Sequence, residues 1–139
     1  MEFDNLEFFE PEEKYGNTKA TVHQSGKLGF TAGAAKLINF ESSRFYKIGR
    51  RKDGNQAGME IIYLVPVPEK DDLTFQAYKA GEYWYLKTKR LLSQLGIDYR
   101  SKTQNISYDV EEVKDGEKRY FKLIRRLKET AIKKDETTH

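Results

Sequence analysis

The chain contains no cysteine and two histidines, His23 and the terminal His139. Without cysteine there are no disulfides, no thiolate zinc or iron–sulfur sites and no thiol nucleophile. Two histidines so far apart do not compose a multi-histidine metal centre, and a catalytic triad would rest on His23 alone. Glu111 and Glu112 are adjacent in an alternating segment, so they point to opposite faces and do not act on one substrate as acid and base. Gly26-Lys27-Leu28-Gly29 lies between two expected strands and reads as a turn. Gly33 completes no nucleotide fingerprint, and P-loop, H-E-x-x-H and G-x-S-x-G motifs are absent. The expectation is a protein that is not an enzyme and takes no metal and no cofactor.

What remains is charge. The net charge of +3 divides unevenly along the 139 residues. Residues 1–18 hold Glu2, Asp4, Glu7, Glu10, Glu12 and Glu13 against Lys14, so an arm of −5 precedes a body of +8. Such a body attracts polyanions, nucleic acid first among them. Its cations cluster in three places: Arg44, Lys47, Arg50, Arg51 and Lys52; Lys87, Lys89 and Arg90; and residues 114–134, with nine Lys/Arg against three Asp/Glu. The first two clusters are the candidate phosphate contacts. Duplex DNA is the favoured partner. A single strand stacking on exposed rings of the strand Tyr83-Trp84-Tyr85, with Tyr78 and Lys87 nearby, is the other mode. Adjacent positions point to opposite faces, so either Tyr83 and Tyr85 or Trp84 alone faces out, and core packing is expected of most of these rings.

The arm also carries Phe3, Leu6, Phe8 and Phe9. So many apolar anchors point to docking, on the body or on a partner, and a second reading follows: an interaction module that forms homo-oligomers through this arm. No apolar run reaches the ~20 residues that cross a bilayer, so no membrane partner and a cytoplasmic location are expected.

The elements that position these residues are mostly strands, as expected of 9 Tyr and 8 Phe in so polar a chain. Alternation marks strands near residues 20–23, 28–30, 75–78, 82–86, 106–113 and 119–124. Residues 59–65 are apolar on both faces and read as a central strand ending at Pro66. Residues 32–40 and 88–95 read as short helices with Thr31 and Thr88 as N-caps. Asp53-Gly54 and Asp115-Gly116 mark hairpins, and residues 128–134 are too polar to assign.

The order strand, Gly turn, strand, helix, strand, hairpin, strand occurs twice. Gly26 and Gly81, Val22 and Ala77, Leu28 and Tyr83, Phe30 and Tyr85, Leu37 and Leu92, and Phe40 and Leu95 are each 55 residues apart. The predicted fold is β-rich α+β: a duplicated β-β-α-β-β unit forming an intrachain pseudo-dimeric barrel with two short helices. The domain spans residues 19–126, with repeats 19–68 and 73–126, between the arm and a basic tail at 127–139. A unit of ~50 residues cannot cover its own apolar sheet face, so two such faces bury each other. The run Ser25-Gly26-Lys27-Leu28-Gly29-Phe30-Thr31, the helix end Leu37-Ile38-Asn39-Phe40 and the strand Phe45-Tyr46-Lys47-Ile48-Gly49 resemble the AbrB-like swapped-hairpin family in its tandem two-unit, MraZ-type arrangement. Gly81-Glu82-Tyr83-Trp84-Tyr85 and Leu91-Leu92-Ser93-Gln94-Leu95-Gly96-Ile97 are similar to the same pattern. The resemblance implies interlaced hairpins in one small barrel and a DNA-binding regulator of transcription.

Overall fold

In a computed structural model of the chain, the described residues are 5–9, 11, 14–51, 60–101 and 105–126. Lys52, the Asp53-Gly54 turn, residues 128–134 and His139 lie outside them. Eight strands and two helices follow in order: β1 Lys19–Val22, β2 Lys27–Phe30, α1 Ala32–Ile38, β3 Phe45–Gly49, β4 Ile61–Val67, β5 Phe75–Ala80, β6 Tyr83–Lys87, α2 Lys89–Gln94, β7 Ser107–Asp115 and β8 Lys118–Arg125. The strands close into one antiparallel barrel in the order β1-β2-β6-β5-β3-β4-β8-β7, with β7 returning to β1. Closure pairs every strand on both sides over part of its length, although β3 meets β5 only at Phe45 and Tyr46.

Hairpins β1–β2 and β3–β4 do not pair with each other. Each is stitched instead to both hairpins of the second half, β1–β2 through β2·β6 and β1·β7, and β3–β4 through β3·β5 and β4·β8. Exchanging every strand for the one four places away leaves this set of pairings unchanged. Gly26 makes the β1–β2 turn possible: at φ +88 it occupies a region that side-chain-bearing residues avoid, and its N–H donates to His23 O at 2.9 Å. The β7–β8 hairpin falls where the Asp-Gly signal places one, with Asp115 opposite Lys118 across Gly116 and Glu117.

Alternation sets the core. Leu28 and Phe30 from β2, Trp84 and Leu86 from β6, Ile62 and Leu64 from β4, and Phe121 and Leu123 from β8 all point inward and are buried. Their registers are Leu28 opposite Leu86, Phe30 opposite Trp84, Ile62 opposite Leu123 and Leu64 opposite Phe121. Phe40 is the hub of the aromatic packing. Its ring meets Phe30 edge-on at 5.0 Å and Tyr46 edge-on at 5.3 Å, and stacks on Trp84 at 5.5 Å. The buried hydroxyls of Tyr46 and Tyr108 are satisfied: Tyr46 donates to Ser43 O at 2.6 Å and Tyr108 to Glu60 Oε1 at 2.9 Å. Burial pushes both phenols well above their ordinary range.

Both helices are short enough to depend on packing. Thr31 caps α1 as expected, accepting from Ala34 N at 3.2 Å. Thr88 does not cap α2. Its hydroxyl donates to Gly26 O at 2.8 Å, and its N–H reaches the same oxygen at 3.1 Å. The helices end alike, at left-handed Asn39 and left-handed Gly96. The next residues close back: Phe40 N–H on Ala35 O at 3.2 Å and Ile97 N–H on Leu92 O at 2.9 Å.

Three expectations need adjusting. Burial matches Leu28 and Phe30 with Trp84 and Leu86 rather than with Tyr83 and Tyr85, because a shift of one residue exchanges the faces of a strand. Helix ends match Phe40 with Ile97 rather than with Leu95. Strand β4 does not end at Pro66 but runs to Val67, with Pro66 opposite Tyr46. Its ladder with β8 stops at Leu64, so at Pro66 no bond to β8 is lost for want of an N–H. No helix among the described residues is long and apolar enough to cross a membrane.

Candidate nucleic-acid interface

The two hydrogen bonds from Thr88 to Gly26 O tie the start of α2 to the β1–β2 turn. This brings Lys87, Lys89 and Arg90 alongside Ser25, Gly26 and Lys27, and together they line a depression of about 450 Å³. Lys87 and Arg90 also line a larger cleft of about 740 Å³, with Lys47 from β3 and Lys70 from the β4–β5 connection. Ile48, Phe75 and Leu91 supply its apolar surface, and Gln76 and Gln94 add neutral hydrogen-bonding groups. Ile48, Leu91 and Gln94 continue into a third depression of about 250 Å³, where Arg50 stands. Because neighbouring depressions share residues, the three form one continuous surface.

Its charge is one-sided. Among the described residues, Asp72 is the single acid lining the three depressions. Just outside the lining, Asp71 pairs with Lys47 at 3.0 Å. The backbone N–H of Leu73, which donates to Asp71 Oδ1 at 2.8 Å, and then Lys47 hold that carboxyl below its ordinary range. Among the described residues, Lys27, Arg50, Lys70, Lys87, Lys89 and Arg90 have no carboxylate within ion-pairing distance. Lys27 and Lys87 are direct cross-strand partners, and like charges so placed destabilise a sheet. A surface that concentrates unpaired cations around an apolar-floored cleft is suited to an anion with several charges.

Of the residues singled out in the sequence, Lys47, Arg50, Lys87, Lys89 and Arg90 converge on this surface. Arg44 does not: it is exposed, with its Nε donating to Phe40 O at 3.0 Å and its guanidinium lying 5.0 Å from the Trp84 ring. Arg51 is exposed but lines none of the three depressions, and Lys52 lies outside the described residues. Lys27 and Lys70 join the site without having been singled out. Lys27 follows the Gly26 turn, and that position was the available signal; Lys70 carries no local mark.

In the described part of the third basic cluster the three arginines are occupied elsewhere, whereas Lys114, Lys118 and Lys122 line none of the three depressions. Arg119 pairs with Glu112, donates to Leu37 O at the end of α1 and lies over the Phe121 ring at 4.8 Å. Arg125 pairs with Glu60 at 3.5 Å and Arg126 with Asp109 at 3.9 Å.

At its described apolar residues the arm is not covered by the barrel; Phe3 lies outside the described residues. Leu6, Phe8 and Phe9 are exposed, Phe9 to 90%. His23 is exposed as well, and its ring nitrogen Nε2 is hydrogen-bonded to the Tyr83 hydroxyl. Comparison with protein-family models, with curated proteins and with solved structures returns no match to this chain.

Proposed function

We propose that the chain is a nucleic-acid-binding protein without catalytic activity, a DNA-binding regulator whose interface is the linked basic depressions. The observation that carries this reading is the convergence of cations with no ion-pair partner among the described residues, from separate stretches of sequence: Lys27, Arg50, Lys70, and the group Lys87, Lys89 and Arg90. Phosphate contacts of this kind supply affinity and make it salt-dependent. Six such contacts reduce duplex affinity by about 10³ between 50 and 200 mM salt.

The barrel itself is proposed to be a duplicated β-β-α-β-β unit folded as an intrachain pseudo-dimer of the swapped-hairpin kind. Supporting this are the pairing set that survives exchange of βn with βn+4, and the like helix ends at Asn39-Phe40 and Gly96-Ile97. Tyr46 and Tyr108, both buried near the start of the third strand of their halves, add to it.

A mobility-shift titration with duplex DNA, single-stranded DNA and RNA at two salt concentrations tests the function. Salt-dependent binding to at least one of them is expected; none to any of them sinks the reading. A second reading, self-association through the acidic arm, is favoured by the exposure of Phe8 and Phe9. Sedimentation of the full chain beside Phe8→Ser/Phe9→Ser tests it: the oligomer should disappear in the variant, and a monomeric wild type removes the reading.

A further inference from the structure

We infer that the ligand of this surface is a single strand, whose bases stack on a row of outward-facing tyrosines while its phosphates follow the basic depressions. The inference rests on the nucleic-acid reading above and specifies its substrate class. Trp84 and Leu86 point into the barrel, so Tyr83 and Tyr85 stand on its outer wall, with Tyr78 of β5 directly opposite Tyr85. The rings are nearly parallel. Tyr78 and Tyr85 lie 5.6 Å apart at 23°, and Tyr83 and Tyr85 6.2 Å apart at 26°. On the other side of Tyr85 the paired residue is Gly29, and the Tyr83 phenol lies across it to reach His23, which holds Tyr83 in the row.

Two lysines arch over these rings. Lys27 Nζ lies 4.4 Å from the Tyr85 centroid and Lys87 Nζ lies 4.7 Å from that of Tyr78. Each ammonium caps the ring face beneath it, so a base stacking there would displace the lysine. It also places an unpaired cation where the phosphate of a stacked nucleotide would run. The cross-strand opposition of Lys27 and Lys87 costs sheet stability, and an intervening phosphate would relieve it. At its Tyr78 end the row opens into the cleft of Lys47, Lys70 and Arg90. Stacking platform and phosphate track are therefore continuous.

Strandedness follows from the π faces. In a duplex each base is already stacked on its neighbours, so the tyrosines gain nothing from it; an unpaired base offers a free face. A cross-strand aromatic cluster that served the sheet alone would be indifferent to the ligand. That difference can be measured. Fluorescence anisotropy of the full chain is read with labelled oligo-dT, oligo-rU and a duplex of the same length, about 20 nucleotides, at 50 and 200 mM salt. The wild type should prefer the single strands, and the two sugars show whether the 2′-hydroxyl matters.

Tyr78→Leu/Tyr85→Leu keeps the wall apolar and should weaken single-strand binding by about 5- to 100-fold, with the salt slope and duplex binding unchanged. Tyr78→Phe/Tyr85→Phe keeps the rings, should bind like wild type, and separates stacking from folding. Equal loss on both ligands, no loss, or a wild type that prefers duplex overturns the single-strand assignment and leaves the nucleic-acid reading standing. Absence of binding to all three probes removes both.

Discussion

Gly29→Ala is expected to destabilise the barrel although its backbone is ordinary strand and alanine suits a strand better than glycine. A Cβ at this position would fall on the Tyr83 hydroxyl and within 2.6 Å of His23 Nε2, well inside the ~3.5 Å of normal contact. The phenol must swing away. That breaks its hydrogen bond to His23, worth about 0.5–1.5 kcal/mol and toward the low end on this exposed wall. It also costs the stacking on Tyr85 and the edge contact with His23, another ~0.5–1.5 kcal/mol. Against these stands the ~0.5–1 kcal/mol gained by replacing a strand glycine. The balance is a loss of roughly 0.5–2 kcal/mol, or about 4 °C in Tm for each kcal/mol at this size. Urea unfolding followed by the emission of Trp84, buried against Phe40, reads it. The decisive arm is the same substitution in a His23→Ala/Tyr83→Ala background. With both side chains gone, Gly29→Ala should turn stabilising by about 0.5–1 kcal/mol. If the sign does not change between backgrounds, the close approach of Tyr83 and His23 to Gly29 is not what sets the cost.

Phe40→Ala removes the ring that joins Phe30, Tyr46 and Trp84 and should cost about 3–5 kcal/mol in urea unfolding; a loss below ~1 kcal/mol would show the hub is replaceable. Tyr46 and Tyr108 are held protonated by burial, so their folded values lie above the ordinary 10.0. Stability is then fully present below about pH 10 and falls above it, by about 1.4 kcal/mol per pH unit for each group, as the unfolded phenols ionise first. Unfolding free energies that stay level from pH 9 to 11 contradict this. Asp71→Asn retains the oxygen that accepts from Leu73 N–H but releases Lys47, so single-strand affinity at 50 mM salt should rise by up to about fivefold, with a steeper salt slope. Unchanged titrations would mean Lys47 does not meet the ligand.

Much of the wall and core was legible because strand faces alternate. That rule separated Trp84 from Tyr83 and Tyr85 and gave Tyr108 and Val110 a common face, which is buried. Glycine punctuation placed the turns at Gly26, Gly81 and Gly116, all at positive φ. The alternation was blind to register between the halves. A spacing of 55 aligns turn with turn but sets Leu28 against Tyr83, and only burial reveals the slip. Thr88 misled for a related reason: a threonine before a helix looks like a cap, and its true acceptor, Gly26 O, lies 62 residues away in sequence.

Local chemistry therefore belongs to the sequence alone: the absence of thiols, the charge split between arm and body, and which residues can share a face. These depend on residue type and on the period-two geometry of a strand, neither of which needs a partner. Which cations face the same cleft depends on barrel closure. Lys27 and Lys87 are 60 positions apart in the chain and adjacent in the sheet, while Arg44, three residues from Lys47, turns to Phe40 and Trp84. Cross-strand pairing and the competition of each side chain for buried acceptors are long-range effects, and they decided which part of the positive charge was left to meet a ligand.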